Sequence, residues 1–542
     1  MAFSLIPIAI TPFMNMDAIN LIKMALLGFF AFGSVAFFRK SCFKSNEMRW
    51  IFGISVGFCA SIMISAWLTS PSFSLQFWGA QGRNSGIFTF ISFMLIFLAV
   101  ASKSNASMGQ KILLAIPFVG AVNVTYGLVQ YLGKDPIDWQ NPYSSIVGTL
   151  GNPNFASSHL GLVSGACSLL IFYMWQQKKT HRFGLSIVLL IETLAALFVT
   201  WKSLSIQGLL VFGIVISSTF LLSVIVYLRR KILTFLIITL SVSTALICSI
   251  GFYGNGPLGS LLYRESFVHR SNFWEAGIQM LRSNLLTGIG IDQFGDFYRE
   301  YRSLFAVQLR GPTVVTDSAH NIPIDIAAGG GIFPLVFFVL IQLTVLFCGI
   351  RMIRRLKEVD VMKIGIFSLW LGYQAQTMIS INQIGVSIWG WIFSGLVIGL
   401  SLETLPTTYS HEKVKKNRLT SRLSLSLTAY GIVGLVIAIP PLLQDRAYRN
   451  ALQTQNGAEI IEVSKSNPKN PYYMNYSSVL LNSNGYKDQA LELSKLAVEI
   501  NPRNYLGWQL IMSNSEAESP DYFLALKNLR MLDPLKDQLP KT

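Results

Sequence analysis

Residues 322–350 read IPIDIAAGGGIFPLVFFVLIQLTVLFCGI, and residues 351–363 continue RMIRRLKEVDVMK. The first stretch carries one charged side chain, Asp325; the second carries five Lys or Arg. An apolar run long enough for a ~30 Å hydrocarbon layer, closed by a basic patch, reads as a membrane helix ending on the cytoplasmic side. The pattern repeats along the chain. Apolar segments lie near 18–38, 50–69, 85–102, 112–132, 156–175, 185–202, 206–228, 232–252, 322–350, 364–380, 387–402 and 423–442. Residues 2–14 are a further short membrane element in prospect, without the basic leader of a cleaved signal peptide. The 542-residue chain is 52 % hydrophobic and 13 % charged, with mean hydropathy +0.48. Soluble domains carry about 25 % charge. The composition therefore excludes a soluble enzyme, a disordered chain and a fibre. The expected fold class is all-α: a polytopic helical membrane bundle of about twelve spans over residues 1–442, with a smaller helical domain at 443–542. The five Cys (Cys42, Cys59, Cys167, Cys248 and Cys348) show no metal-ligand spacing and no disulfide framework.

The net charge of +16 is a topology signal. Six alternate loops, from RKSCFKSNEMR to HEKVKKNRLTSR, hold 22 of the 43 Lys and Arg. Short basic loops stay cytoplasmic. The long loop at 253–321 and residues 443–542 are then expected on the outer side of the cytoplasmic (inner) membrane. Residues 443–542 balance 11 basic against 11 acidic side chains, so no polyanion footprint remains and no nucleic-acid partner is expected. In that tail SNPKNPYYMNY (466–476) recurs as INPRNYLGWQL (500–510), with Pro468 and Pro502 34 residues apart. The period, with Gly485, Ala490 and Ala497 between, resembles a tetratricopeptide repeat. One repeat buries little alone, so it is expected to dock on the membrane domain or on a protein partner; a plain helical tail is the other reading.

Three outward segments carry the polar chemistry. FWGAQGRNSGIFTF (77–90) places Arg83 at a span mouth. GTLGNPNFASSHLG (148–161) turns at its glycines and proline and presents the amides of Asn152 and Asn154. The long loop holds six Arg and no Lys: Arg264, Arg270, Arg282, Arg299, Arg302 and Arg310. Guanidinium groups fork onto phosphate oxygens. Arg270 and Arg83 are candidate phosphate ligands or ion-pair partners; Arg299 and Arg302 read as loop-packing contacts. His320 precedes a helix start that Asn321 or Ser318 can cap, and the helix's positive end disfavours imidazolium. A neutral His there can act as general base, position substrate, or serve structure alone. Asp325, four and five residues on, can orient it. His159 reads as a satisfied helix-end residue. Gly329, Gly330 and Gly331 read as close packing beneath the site. Phe273 and Trp274, sharing a face with Ile278 and Leu281 at helical spacing, read as a loop helix lying in the interface, and Trp78, Trp139, Trp274 and Trp389 as an aromatic belt. Glu192, mid-span, is expected to pair with Lys23 or to stay protonated.

These pieces, in order, resemble the O-antigen ligase and O-antigen polymerase superfamily: GTLGNPNF, then Arg270-x3-Trp274, LLTGIGIDQF, the Tyr-rich YREYR, and His320-Asn321-x9-Gly331. The resemblance spans roughly residues 15–400. It implies a multi-span helical fold like that of type C glycosyltransferases. It also implies transfer of a glycan from an undecaprenyl-pyrophosphate carrier to a hydroxyl of a glycolipid, polymer or protein acceptor, with neither a metal ion nor another cofactor. His320 and Arg270 would be catalytic; Arg83, Arg264, Asn321, Asn152, Asn154 and Trp274 would bind substrate. Where relatives carry Ser-Arg, VTWKSLSIQG (199–208) offers Lys202. Ligase and polymerase share these motifs. A flippase for lipid-linked glycan would instead concentrate polar groups at the bilayer midplane. A bare scaffold would need no Arg-rich loop.

Overall fold

A computed structural model of the chain describes residues 2–38, 45–69, 72–177, 182–230, 239–240, 243, 250–251, 253–257, 259–262, 265–403 and 419–536. It is all-helical, with no strand among these residues. The principal helices are α1 (Asn20–Gly33), α2 (Asn46–Leu68), α3 (Phe73–Trp78), α4 (Ile87–Lys103), α5 (Ala106–Tyr131), α6 (Pro153–Gln176), α7 (Phe183–Lys202) and α8 (Gln207–Leu228). The long loop folds as α9 (Glu265–Ser283), α10 (Phe294–Tyr301) and α11 (Leu304–Arg310). Then come α12 (Ile322–Gly330), α13 (Ile332–Arg355), α14 (Val361–Thr377), α15 (Ile384–Glu403) and α16 (Leu419–Thr454). The tail is α17 (Gly457–Ser464), α18 (Pro471–Ser483), α19 (Lys487–Ile500), α20 (Tyr505–Asn514) and α21 (Pro520–Leu532).

Among the described residues, nine helices are long and apolar enough to cross a membrane. In hydrocarbon a helix is the only open-chain solution, because every backbone group must be paired within the segment. Local sequence sets the starts. Ser45, Asn105, Asn152 and Asp360 each accept a backbone N–H from the first turn they cap. The 17-residue helices α4 and α14 are about 25 Å long, slightly short of the hydrocarbon thickness. The expected span at 232–252 lies almost wholly outside the described residues. Residues 2–8 form a 3-10 helix too short to span.

The apolar stretch 322–350 is two helices. Gly331, at φ +80°, ends α12 and starts α13; a Cβ there would lie 2.7 Å from the Leu286 carbonyl. The loop segment 285–290 fills this break. Ile289 N donates to Ala328 O at 2.9 Å, Gly290 N to Gly329 O at 2.9 Å, and Ile332 N to Leu285 O at 2.8 Å. The three glycines thus hold the loop against the bundle, as the close-packing reading requires.

The core sits on α15, whose span window is wholly buried, against 28 % for α7 and 22 % for α8 among the described residues. Around α15 pack α4, α13, α14 and α1. Helices α1 and α16 approach closely because a Cβ on Gly28 would stand 2.8 Å from Gly434 O. Lys23 is buried, but Glu192 is not its partner. Its Nζ donates to the carbonyls of Pro7 (3.1 Å), Ala9 (2.6 Å) and Thr149 (3.0 Å), pinning the N-terminal segment to the turn before α6.

The loop has its own core of Phe273, Ala276, Met280, Ile289, Phe294, Tyr298, Ala319 and Ala328. Phe273 faces this core while Ile278 is exposed, so α9 is packed by its Phe273 face and these two do not share an interfacial stripe. Trp389 is interior as well, stacked on the His159 ring at 6.5 Å, and does not belong to an aromatic belt.

The tail docks on the loop. Arg302 donates to both oxygens of Asp533 at 2.9 Å, and Arg299 to the same carboxylate at 3.1 Å. Asn501 donates to Asp296 at 2.7 Å, Arg503 pairs with Glu300, and Arg503 lies 3.8 Å over the Phe297 ring. Asp445, at the α16–α18 junction, accepts from Tyr473 Oη at 2.8 Å, Met16 N at 2.7 Å and Gln81 Nε2 at 3.1 Å. Arg302 and Asp533 side chains are each 1 % exposed. Removing one member of such a pair strands a buried charge, at about 3–5 kcal/mol. Asp533→Ala should therefore release α20 and α21 from the loop, seen as faster amide exchange in both. Lys465→Ala, in an exposed pair with Glu492, should leave exchange unchanged.

Candidate functional site

Three chain segments meet at the loop end of the bundle. The first is the Arg83 turn. Asp292 accepts from Ala80 N (2.8 Å), Ser85 N (3.2 Å) and Ser85 Oγ (2.9 Å), which ties residues 80–85 to the LLTGIGIDQF segment. Burial lifts the Asp292 carboxyl to about 6. The second is the turn before α12. Asp325 accepts from Ser318 Oγ and Ala319 N, both at 2.7 Å, and Ser318 Oγ accepts His320 N at 2.9 Å. This brace holds His320 at φ +54°, a left-handed conformation uncommon outside glycine. The third is α9, which carries Arg270 and Phe273; the His320 ring lies 5.6 Å from the Phe273 ring.

Arg83 and Asp317 form a forked pair, with Nε to Oδ2 at 2.8 Å and Nη2 to Oδ1. Burial would lift the Asp317 carboxyl, but Arg83 outweighs it and holds it below its usual range. Both residues line a small, partly open cleft, with Asp292, Ser318, Asp325 and Asn382.

Arg270 differs. Its residue is 8 % exposed, yet no carboxylate pairs with it among the described residues; its guanidinium stands 5.5 Å over the Phe267 ring. Burial draws it down to about 10, so it stays charged at neutral pH. Arg310 stands 5.6 Å over the Phe273 ring, also without a carboxylate among the described residues. Burial, then the charges of Arg270 and Arg83, push the His320 imidazole down to about 3, against the weaker pull of Asp317 and with a smaller push from Arg310. The ring is thus neutral, as its position before α12 suggested.

That shift has a sign. Unfolded, the imidazole binds a proton near 6.5; folded, it refuses one until about 3. As pH falls through that window the unfolded chain gains the proton, so stability falls with it. The Tm of His320→Gln should lose this component of the acid slope and match wild type above pH 7.

The other sequence candidates separate. Asn321 caps α12, accepting from Ile324 N at 3.1 Å, and donates to Met378 O at 2.9 Å, so its amide is engaged within the fold. Asn152 caps α6; Asn154 accepts from Ser205 Oγ at 2.8 Å. Lys202 lies 4.3 Å over the Trp201 ring. Of the sequence candidates Arg83 and Asp325 line the cleft, whereas Arg270, His320, Asn321, Asn152, Asn154 and Lys202 do not. Trp274 is half-buried on the loop core with its indole N–H unpartnered among the described residues. Arg264 lies outside the described residues. His159 is fully buried with both ring nitrogens unpartnered among the described residues, so hydrogen bonding does not satisfy it.

Sequence reasoning missed Asp317 and Asp292. Their partners are 234 and 207 residues away, and no local pattern marks them.

No curated protein matches this chain. Residues 203–339, from the end of α7 through the whole loop and α12 into α13, match the family described as O-antigen ligase, and this match supports a ligase-type function.

Proposed function

We propose that the protein is a membrane glycosyltransferase of the O-antigen ligase type. It moves a glycan from an undecaprenyl-pyrophosphate carrier to an acceptor hydroxyl on the outer side of the cytoplasmic membrane. The observation that carries this reading is Arg270: a buried cation without a carboxylate among the described residues, on the helix whose Phe273 packs against the His320 ring and close enough for its charge to act on that imidazole. A buried charge is stable only when compensated. A diphosphate headgroup supplies that compensation.

The chemistry follows. The acceptor oxygen attacks the anomeric carbon, the bond from that carbon to the phosphate oxygen breaks, and the carrier pyrophosphate leaves. Negative charge grows on the leaving oxygen, where Arg270, Arg310 and Arg83 can stabilise it without a metal ion. The acceptor proton passes to His320. In the empty site the cations weaken that base; a bound diphosphate offsets their field and raises its basicity where the reaction needs it. Asp317 holds Arg83 until the phosphate competes for the same fork. The tail, read as tetratricopeptide-like, braces the loop through Arg299, Arg302 and Arg503 and leaves its remaining faces for an acceptor or partner.

Reconstitution with labelled lipid-linked glycan tests the reading. A ligase consumes the donor; intact movement across the bilayer would make the protein a flippase. In a deletion strain, full-length carrier-linked chains mark a ligase, and single repeat units a polymerase.

A further inference from the structure

The Arg83 cleft continues inward. Phe90, Ile322 and Asn382 line it and also line a second, narrow inner recess, whose far side includes Phe338, Tyr373 and Trp391. Asn382 therefore stands at the neck between the two. It is 7 % exposed, and its Nδ2 has no acceptor among the described residues. Neighbouring polar groups are used within the fold. Gln374 Nε2 donates to Gln342 Oε1 at 3.0 Å, Thr377 Oγ1 to Gln374 O at 2.7 Å, and Ser394 Oγ to Gly390 O at 2.8 Å. A buried amide donor left spare costs the fold its desolvation, which is worth carrying where a ligand completes it.

We propose that Asn382, with the aromatic wall around it, is the subsite for the carrier-proximal sugar of the donor. The inference rests on the ligase reading and names where that donor's sugar sits. A glycosyl diphosphate has a fixed order: charged phosphates, then a ring with apolar C–H faces and oxygen acceptors. The cleft has the same order, with Arg83 in its lining on the loop side and Asn382 at its inner neck. An isoprenoid chain has no use for an amide donor. A further phosphate would need a cation, and none lines the inner recess. A sugar oxygen accepts from Asn382 Nδ2 while the ring lies against Phe90. Held from both sides, the glycosylated carrier binds more tightly than the spent carrier, which favours product release.

The test uses the full chain in nanodiscs and two probes: bare undecaprenyl pyrophosphate, and the same carrier bearing one N-acetylhexosamine. Wild type should bind the glycosylated probe about tenfold more tightly. Asn382→Leu should lower that preference about threefold to tenfold, corresponding to one neutral hydrogen bond, with bare-carrier affinity unchanged. Its Tm should be equal or higher, because an unpaired amide has become apolar. Equal wild-type affinity for the two probes overturns the subsite without any variant. So does an Asn382→Leu variant that keeps the full preference, or one whose Tm falls while both probes weaken. Wild type that binds neither probe contradicts the ligase reading itself, and the subsite falls with it.

Discussion

His320→Ala is expected to abolish glycan transfer while the bundle stays folded. The imidazole is braced through its backbone: its N–H rests on Ser318, which Asp325 holds, and none of these bonds uses the ring. No side-chain hydrogen bond to the ring occurs among the described residues, so truncation removes no structural contact of that kind. Its packing on Phe273 is lost, a modest effect on a half-buried ring. A general base contributes roughly 10²–10⁴-fold. Turnover of labelled lipid-linked glycan in proteoliposomes should fall by that factor, with donor binding retained. Full turnover in the Ala variant would remove the base role. Equal losses in donor affinity and turnover would make the ring a positioning group.

Arg270→Lys is expected to lose most activity although the charge is conserved. The planar guanidinium lies 5.5 Å over the Phe267 ring and presents a fork; an ammonium is a point charge without that fork. One charge-assisted contact to phosphate is worth about 1.5–3 kcal/mol, or roughly ten- to a hundredfold. The loss should appear in turnover and in carrier affinity together, measured with undecaprenyl pyrophosphate as competitor. A Lys variant with wild-type kinetics would show that bidentate recognition is not used. Arg83→Lys should do less harm, because Asp317 already occupies that fork in the free protein.

The bundle was legible because the bilayer enforces its code. Apolar runs near 20 residues and alternating basic loops leave few other folds. The break at Gly331 was less visible, because hydropathy does not register a single left-handed residue inside an apolar run. What forces the break is the 285–290 segment packing into it, from a distant part of the chain. The site was legible where it is local. His320, Asn321 and Asp325 lie within one turn and its cap, and their spacing told of an oriented imidazole. Arg270 stood out as an arginine in a loop without lysine; that it is buried with no carboxylate partner among the described residues did not show in the sequence. The Arg83–Asp317 fork, the Asp292 tie and the neck at Asn382 depend on tertiary contacts that no sequence period encodes. Two candidates turned out to be engaged in helix geometry: Asn152 and Asn321 are N-caps, the commonest use of an asparagine before a helix.

The most direct measurement is a cryo-EM structure of the protein in nanodiscs with undecaprenyl pyrophosphate. Diphosphate oxygens within hydrogen-bonding distance of Arg270, beside the His320 ring and opening into the Arg83 cleft, are the expected result. Diphosphate bound elsewhere, with Arg270 still uncompensated, would contradict the account.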